Sequence, residues 1–216
     1  MMKGRIVSLQ VGQPRLVEHD GGQVSTAIFK HAVSGPVQLA ELGLAGDGQA
    51  DGVHHGGEAQ AVYAYPREHY TYWAGRLPTR IHEAGLFGEN LTTEGLLESS
   101  VHPGDIFQMG GARLEVTTPR SPCFKLGIRT GDSGIIAPFL ASGRLGFYLR
   151  VIAAGPLAAG DPIERVTLAP HGLTMADFIA ALFHPEPSPD LVARALELPQ
   201  VREAHRARLE ARRTRT

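Results

Sequence analysis

The chain has 216 residues, of which 43% are hydrophobic and 20% charged, proportions that exclude disorder and suit one globular body or one body with a small appendage. Its formal net charge of −1 excludes an electrostatic nucleic-acid binder acting through the whole surface, and its single cysteine excludes an internal disulfide, a Cys-rich zinc site and a self-contained iron–sulfur cluster. No apolar run approaches the roughly 18 residues of a membrane span, and the start MMKGRIVSLQVGQP lacks an apolar signal core, so a cytoplasmic chain is expected.

The 26 glycines and 15 prolines are spread without a repeat, as expected for many turns between short strands. Val7, Leu9 and Val11 alternate at the start, and Leu114 with Val116, then Phe147, Leu149 and Val151, do so later. Further strands are predicted over 24–30, 60–65, 104–109 and 162–166. Asp20-Gly21-Gly22 and Met109-Gly110-Gly111 supply turns, the second a hairpin. A helix is predicted from Pro66 to Trp73, with the proline at its first position, and another over 133–141. Strands this short, without regular helical crossovers, predict an antiparallel barrel or sandwich.

Near residue 168 the pattern changes. Thr174 and Asp177 form a capping box ahead of an apolar helix with Met175, Phe178, Ile179, Leu182 and Phe183. The proline-rich run after His184 breaks it, and Ser188 and Pro189 open a second helix with Leu191, Ala195 and Leu198 on its apolar side. Pro199 ends that helix and a third follows. The expected organisation is therefore a β-rich body over 1–167 and a three-helix extension over 168–216. The tail from 201 onward carries six Arg against Glu203 and Glu210, a solvated helix face or, less simply, a nucleic-acid contact.

P-loop, Rossmann, nucleophile-elbow and H-E-x-x-H patterns are all absent. Chemistry concentrates instead in four segments: Ser25–Lys30, Gly46–Gly57 with its His54-His55-Gly56-Gly57, Phe87–Asn90, and Pro119–Leu126 around Cys123. Pro119 and Pro122 stiffen the last segment, and Arg120 and Lys125 flank the thiol. Two fixed cations should lower a thiol pKa from its reference near 8.5 and favour thiolate, the form that attacks and ligates metals. A small buried hydrophobe is the plainer alternative for a lone cysteine. His55 and the glycines after it form either an ordinary turn or a backbone cradle. Glu89 and Asn90 form either a turn or a polar wall for a heterocycle.

Together GDGQADGVHHGG, AVYAYPREHYTYW and FGENLTTEGLLESSVHPGDIFQMGGARLEVTTPRSPCFKL resemble MOSC-domain proteins of the YiiM type, over about residues 5–167 and on into the subgroup's helical tail. The resemblance implies a mainly β, barrel-like body with the three-helix extension and a pocket for the molybdenum cofactor. It makes Cys123 the catalytic residue and molybdenum ligand, with His55 beside it. It implies cofactor contacts from Thr26, Ile28 and Lys30, from His55, Gly56 and Gly57, from Phe87, Gly88, Glu89 and Asn90, and from Arg120, Ser121, Pro122 and Lys125. Gln60 stands where the subgroup often has a basic residue, three positions after HGG.

The implied activity is reduction of N-hydroxylated compounds such as 6-hydroxylaminopurine to amines, with electrons from a separate reductase, no membrane partner and, from the apolar helix faces, a homodimer as one arrangement. The alternative of another kind is a sulfur or molybdenum-cofactor carrier in which Cys123 bears a persulfide. A cysteine hydrolase using Cys123 and His55 and a nucleic-acid module using the Arg tail are two further alternatives.

Overall fold

The computed structural model describes residues 3–50, 56–77 and 83–214. Thirteen strands and six α-helices follow in chain order: β1 (Lys3–Val11), β2 (Arg15–His19), β3 (Gly22–Thr26), β4 (His31–Ala32), β5 (Val37–Ala40), β6 (Gly43–Leu44), β7 (Val62–Pro66), α1 (Glu68–Trp73), β8 (Leu91–Glu94), β9 (Ile106–Met109), β10 (Ala112–Pro119), α2 (Phe124–Thr130), α3 (Ile136–Ser142), β11 (Phe147–Ala153), β12 (Gly155–Leu157), β13 (Pro162–Thr167), α4 (Met175–Phe183), α5 (Pro189–Leu196) and α6 (Glu203–Arg213). A one-turn 3-10 helix, Glu58–Gln60, precedes β7.

Seven strands close into a barrel in the order β13-β9-β10-β11-β7-β8-β1, with β1 returning to β13 and β4 extending from the far end of β1. Every pair in the ring is antiparallel except β7 with β8, which run parallel from Ala64↔Leu91 to Pro66↔Thr93. The expected barrel is present, and its mixed character comes from that one pair. β2 and β3 form a separate ribbon whose turn at Asp20 (φ 49°) and Gly21 (φ 76°) has the two positive φ angles that match strand twist. The Met109–Ala112 hairpin forms as the glycine pair predicts.

Alternation sends Leu114, Val116, Phe147 and Leu149 into the interior. In β1 a register shift between Ile6 and Ser8 changes the phase, so Ile6 is buried in place of the expected Val7 while Leu9 and Val11 still point inward. The strand expected over 24–30 stops at Thr26, whose Oγ1 accepts the Ile28 amide at 3.2 Å and turns the chain out of the ribbon. Pro66 belongs to β7, not to the helix after it, because the Arg67 amide continues the ladder to Thr93 O at 2.7 Å. The helix expected over 133–141 lies at Ile136–Ser142, and α2 arises directly after Cys123, in what the sequence reads as loop.

The capping box holds: the Asp177 amide donates to Thr174 Oγ1 at 3.1 Å and the Thr174 amide to Asp177 Oδ2 at 2.9 Å. Met175, Phe178, Leu182, Val192, Ala195 and Leu209 turn inward and join the same apolar core as the barrel, so the C-terminal helices fold back on the body. Their approach is fixed by polar contacts, Met175 N to Val101 O at 2.7 Å and Gln200 Nε2 to Glu115 Oε1 at 3.0 Å. A second cluster of rings sits under α1 and α3, where Trp73 Nε1 donates to Tyr65 Oη at 2.8 Å and Tyr65 packs 4.4 Å from Phe87.

Gly146 opens β11 at φ +64°, and an added Cβ would lie 2.9 Å from both the Tyr63 and Tyr65 rings. Gly146→Ala is therefore expected to lower the unfolding free energy by about 2 kcal/mol, read as an earlier denaturant midpoint at unchanged slope. An unchanged midpoint would show that the strand start tolerates a side chain.

Candidate functional site

At one end of the barrel, chain segments from far apart in sequence surround a cleft of about 720 Å³ including its open mouth. The irregular chain after β3 contributes Thr26, Ile28 and Lys30, the loop after β6 contributes Asp47, and the 3-10 turn contributes Gln60. Tyr63 and Tyr148 come from β7 and β11, Gly88 and Asn90 from the approach to β8, and Arg120, Ser121, Cys123 and Lys125 from the β10–α2 junction.

Asp47 organises one wall. Its Oδ1 accepts from Lys30 Nζ at 2.5 Å and from the Gly12 amide at 2.8 Å, and its Oδ2 accepts from Asn90 Nδ2 at 2.7 Å. Asn90 in turn accepts the Tyr63 amide at 3.1 Å through Oδ1, so its side chain stands in for a ladder bond where β7 and β8 begin. Burial pulls the Lys30 pKa down, while the carboxylate of Asp47 opposes that pull. Lys30 is thus a paired cation and not a solvated one.

Opposite stands Arg120, buried, donating through Nη1 to Phe87 O with its guanidinium 4.8 Å from the Tyr63 ring centre. The amide of Arg120 reaches Gly146 O at 3.4 Å. Burial raises the pKa values of Tyr63 and Tyr148, so both phenols keep their protons at neutral pH. Tyr63 donates to Leu145 O at 2.6 Å. Cys123 is partly exposed at the N-cap of α2, where its carbonyl accepts the Leu126 amide at 2.9 Å. Cys123 is also close enough to Arg120 and Tyr148 to interact with them electrostatically.

Other expected site residues lie elsewhere. Phe87 belongs to the ring cluster and reaches the site only through its carbonyl. Glu89 is fully buried, accepting the Gly85 and Phe87 amides at 2.8 and 3.0 Å, the Thr92 hydroxyl at 2.9 Å and the Tyr70 hydroxyl, so it shapes the loop instead of walling the cleft. Gly56, Gly57 and Pro122 are not on the lining. Gly57 caps the 3-10 turn at φ 88° and accepts the Gln60 amide at 2.9 Å, which makes it a backbone turn. His54 and His55 lie outside the described residues.

The structure adds residues the sequence did not single out. Asp47, Tyr63 and Tyr148 line the cleft, and so does Gln60, noted in the sequence only as a departure from the subgroup, with a buried Oε1 that has no hydrogen-bond partner among the described residues. His205 from α6 has Nδ1 2.7 Å from Thr118 Oγ1 and Nε2 3.0 Å from Ser121 Oγ, tying the C-terminal helix to the Cys123 segment. A carboxylate between two glycines, Gly46 and Gly48, was the available signal for Asp47. His205 and Leu209, four apart on one helix face, gave a weaker one.

Among the described residues, no group of three or more His, Cys, Asp and Glu side chains is arranged to hold a metal. Among the described residues, the cleft instead offers one sulfur, with the three cations Lys30, Arg120 and Lys125 against the carboxylate of Asp47. That donor set suits an anionic group bringing its own metal ligands and leaving one position for a soft thiolate. No described helix is long and apolar enough to cross a membrane.

Comparison with known proteins gives a match to the MOSC domain over residues 51–164. The chain is 46% identical over 144 residues to protein YiiM of Escherichia coli, covering 66% of this chain and 64% of that one. It is 36% identical over 147 residues to a protein named reductase from Gibberella moniliformis, covering 67% of this chain and 26% of that much longer one. The crystal structure of YiiM from Geobacillus stearothermophilus superposes with a TM-score of 0.80 at 30% identity, covering 97% of this chain and 99% of that one.

Burial, with help from the charges of Arg202 and Arg208, pulls the His205 pKa down to about 4 from 6.5, so its stabilising contacts belong to the neutral ring. Because protonation favours the unfolded chain, this contribution is complete above pH 6.5 and falls as pH drops toward 4. Relative to His205→Gln, the native chain should lose about 2 kcal/mol between pH 7.5 and 5 in denaturant titrations. A pH-independent difference would mean that His205 titrates normally.

Proposed function

Because this chain belongs to the MOSC-domain family, we propose that it is a molybdenum-cofactor-dependent oxidoreductase that reduces N-hydroxylated compounds, 6-hydroxylaminopurine among them, to amines. One observation carries this reading: the chain's single cysteine stands on a cleft whose described lining has three cations and one carboxylate. The fungal relative named reductase supports the reaction class.

Cys123 would hold the cofactor's metal through its sulfur, and Arg120, Lys125 and Lys30 would hold its phosphate and pterin oxygens. When bound, the cofactor supplies the two electrons that cleave the N–O bond, so that R–NH–OH with two protons gives R–NH2 and water, and a separate reductase replaces the electrons.

The protein's own part is placement and proton supply. Arg120 cannot swing, since the Phe87 carbonyl and the Tyr63 ring fix its guanidinium. The Lys30–Asp47 ion pair fixes the Lys30 ammonium in the wall, its charge matched by the carboxylate. Tyr148, kept protonated by burial, presents Oη as a hydrogen-bond donor for the departing hydroxyl oxygen. The Pro119 and Pro122 frame keeps the sulfur in register with these groups.

Protein purified from cells that make the cofactor is expected to contain molybdenum near one per chain and to reduce 6-hydroxylaminopurine when coupled to an electron donor. Cys123→Ser should lower turnover by at least about a hundredfold and lose the metal while circular dichroism and melting stay unchanged. Full activity in that variant, or metal-free active protein, would overturn the assignment. A sulfur adduct of +32 Da on Cys123 without any reduction would favour the carrier role.

A further inference from the structure

Beside the cleft, on the other side of the Ser121–Pro122 segment, runs a groove of about 1400 Å³ including its mouth. It shares Gln60 and Ser121 with the cleft, so the two hollows meet at those side chains. The groove has three chemically distinct parts. Leu140 and Phe183 give an apolar wall, Gln60 gives a buried polar floor, and the first turn of α6 closes the end with Arg202, Glu203, Ala204 and His205, Arg208 standing nearby.

Two independent features of this groove call for a ligand. Gln60 is 6% exposed and its Oε1 has no partner among the described residues. An unpaired buried acceptor costs about 1–3 kcal/mol, which a ligand N–H or O–H would recover. α6, whose first turn lines the groove, is 11 residues long and its N-cap, Arg202, makes no side-chain cap bond. Arg202 balances Glu203 there, while Arg208 is already held, its Nε donating to Leu182 O at 2.7 Å and its guanidinium lying 4.8 Å from the Phe183 ring centre. His205, neutral at pH 7, adds no charge but pins the turn to Ser121 at 3.0 Å. An uncapped helix N-terminus with a guanidinium at its cap suits an oxyanion.

We infer that the groove is the substrate subsite and that it takes a nucleotide: a flat N-bearing heterocycle against Leu140 and Phe183, its exocyclic N–H donated to Gln60 Oε1, its phosphate at the first turn of α6. This rests on the reductase reading above and narrows it, since it makes the N-hydroxylated base a phosphorylated one. The exocyclic group held by Gln60 lies at the junction with the Cys123 cleft, where the reaction needs it. Gln60 then selects for a donor and the α6 end selects for the anion.

The test is calorimetric binding to the full-length protein as purified, which reads the groove without turnover. Adenosine 5′-monophosphate stands in for an amine product, adenosine lacks its phosphate, and inosine 5′-monophosphate replaces the exocyclic donor by an acceptor. Wild type is expected to bind the adenine nucleotide at least about tenfold tighter than adenosine and about tenfold tighter than the inosine nucleotide. Arg202→Ala should abolish the first preference and Gln60→Leu the second, each leaving the other intact and the melting temperature unchanged.

Equal affinity for nucleotide and nucleoside in wild type, a measurement that needs no variant, would overturn the proposal. So would inorganic phosphate competing as strongly as the nucleotide. Nucleotide binding as expected but no reduction of any hydroxylamino-purine would sink the reaction and leave the groove standing. Reduction of the free base with no preference for phosphate would do the reverse.

Discussion

β1 is hydrogen-bonded on both sides, to β8 from Arg5 to Leu9 and to β13 from Lys3 to Arg5, and the site depends on that double engagement. With it the ring has no open edge, which is the state in which a sheet this short protects its backbone polar groups from water and from other chains. Closure also decides where loops emerge. The chain leaving β1 meets the loop after β6 through Gly12 and Asp47, and the end of β10 lies across from the start of β8 through Arg120 and Phe87. Without closure Lys30 and Asp47 would belong to a separate surface from Arg120, Cys123 and Lys125.

Charge at the cleft is handled by pairing and by fixed dipoles. Burying Lys30 costs free energy that Asp47 offsets at 2.5 Å, and Asp47 is itself held by an amide and by Asn90, so that its accepting oxygens are filled. Arg120 has no carboxylate beside it among the described contacts. A carbonyl and the Tyr63 ring face compensate it, leaving the charge available to an anion. The two walls therefore differ in kind, one neutral overall and rigid, the other cationic.

The C-terminal helices supply more than apolar cover. His205 reaches both Thr118, at the end of β10, and Ser121, two residues before the cysteine, so α6 and the Cys123 segment move as one piece. Gln60 sits between the cleft and the groove under α6. The cleft with Cys123 thus opens at the barrel, and the helical tail lines part of the neighbouring hollow.

Local chemistry was enough to determine the alternating strands of β10 and β11, the glycine hairpin at Met109–Ala112, the capping box of α4, the proline start of α5 and the stiff Pro-flanked cysteine. Each of these depends on neighbours within a few residues. The barrel fold and the family were legible in the same way, from turn spacing and from motifs that are contiguous in the chain. Tertiary structure decided the rest. The shift in β1 that buries Ile6 and the ladder that claims Pro66 are settled by partners across the barrel. Asp47 became a wall residue because Lys30 and Asn90, 17 and 43 positions away, converge on it, and His205 because Ser121 lies 84 positions back. Hydrogen bonds over such separations leave no period and no motif in a sequence, since any polar residue at the right point in space can make them.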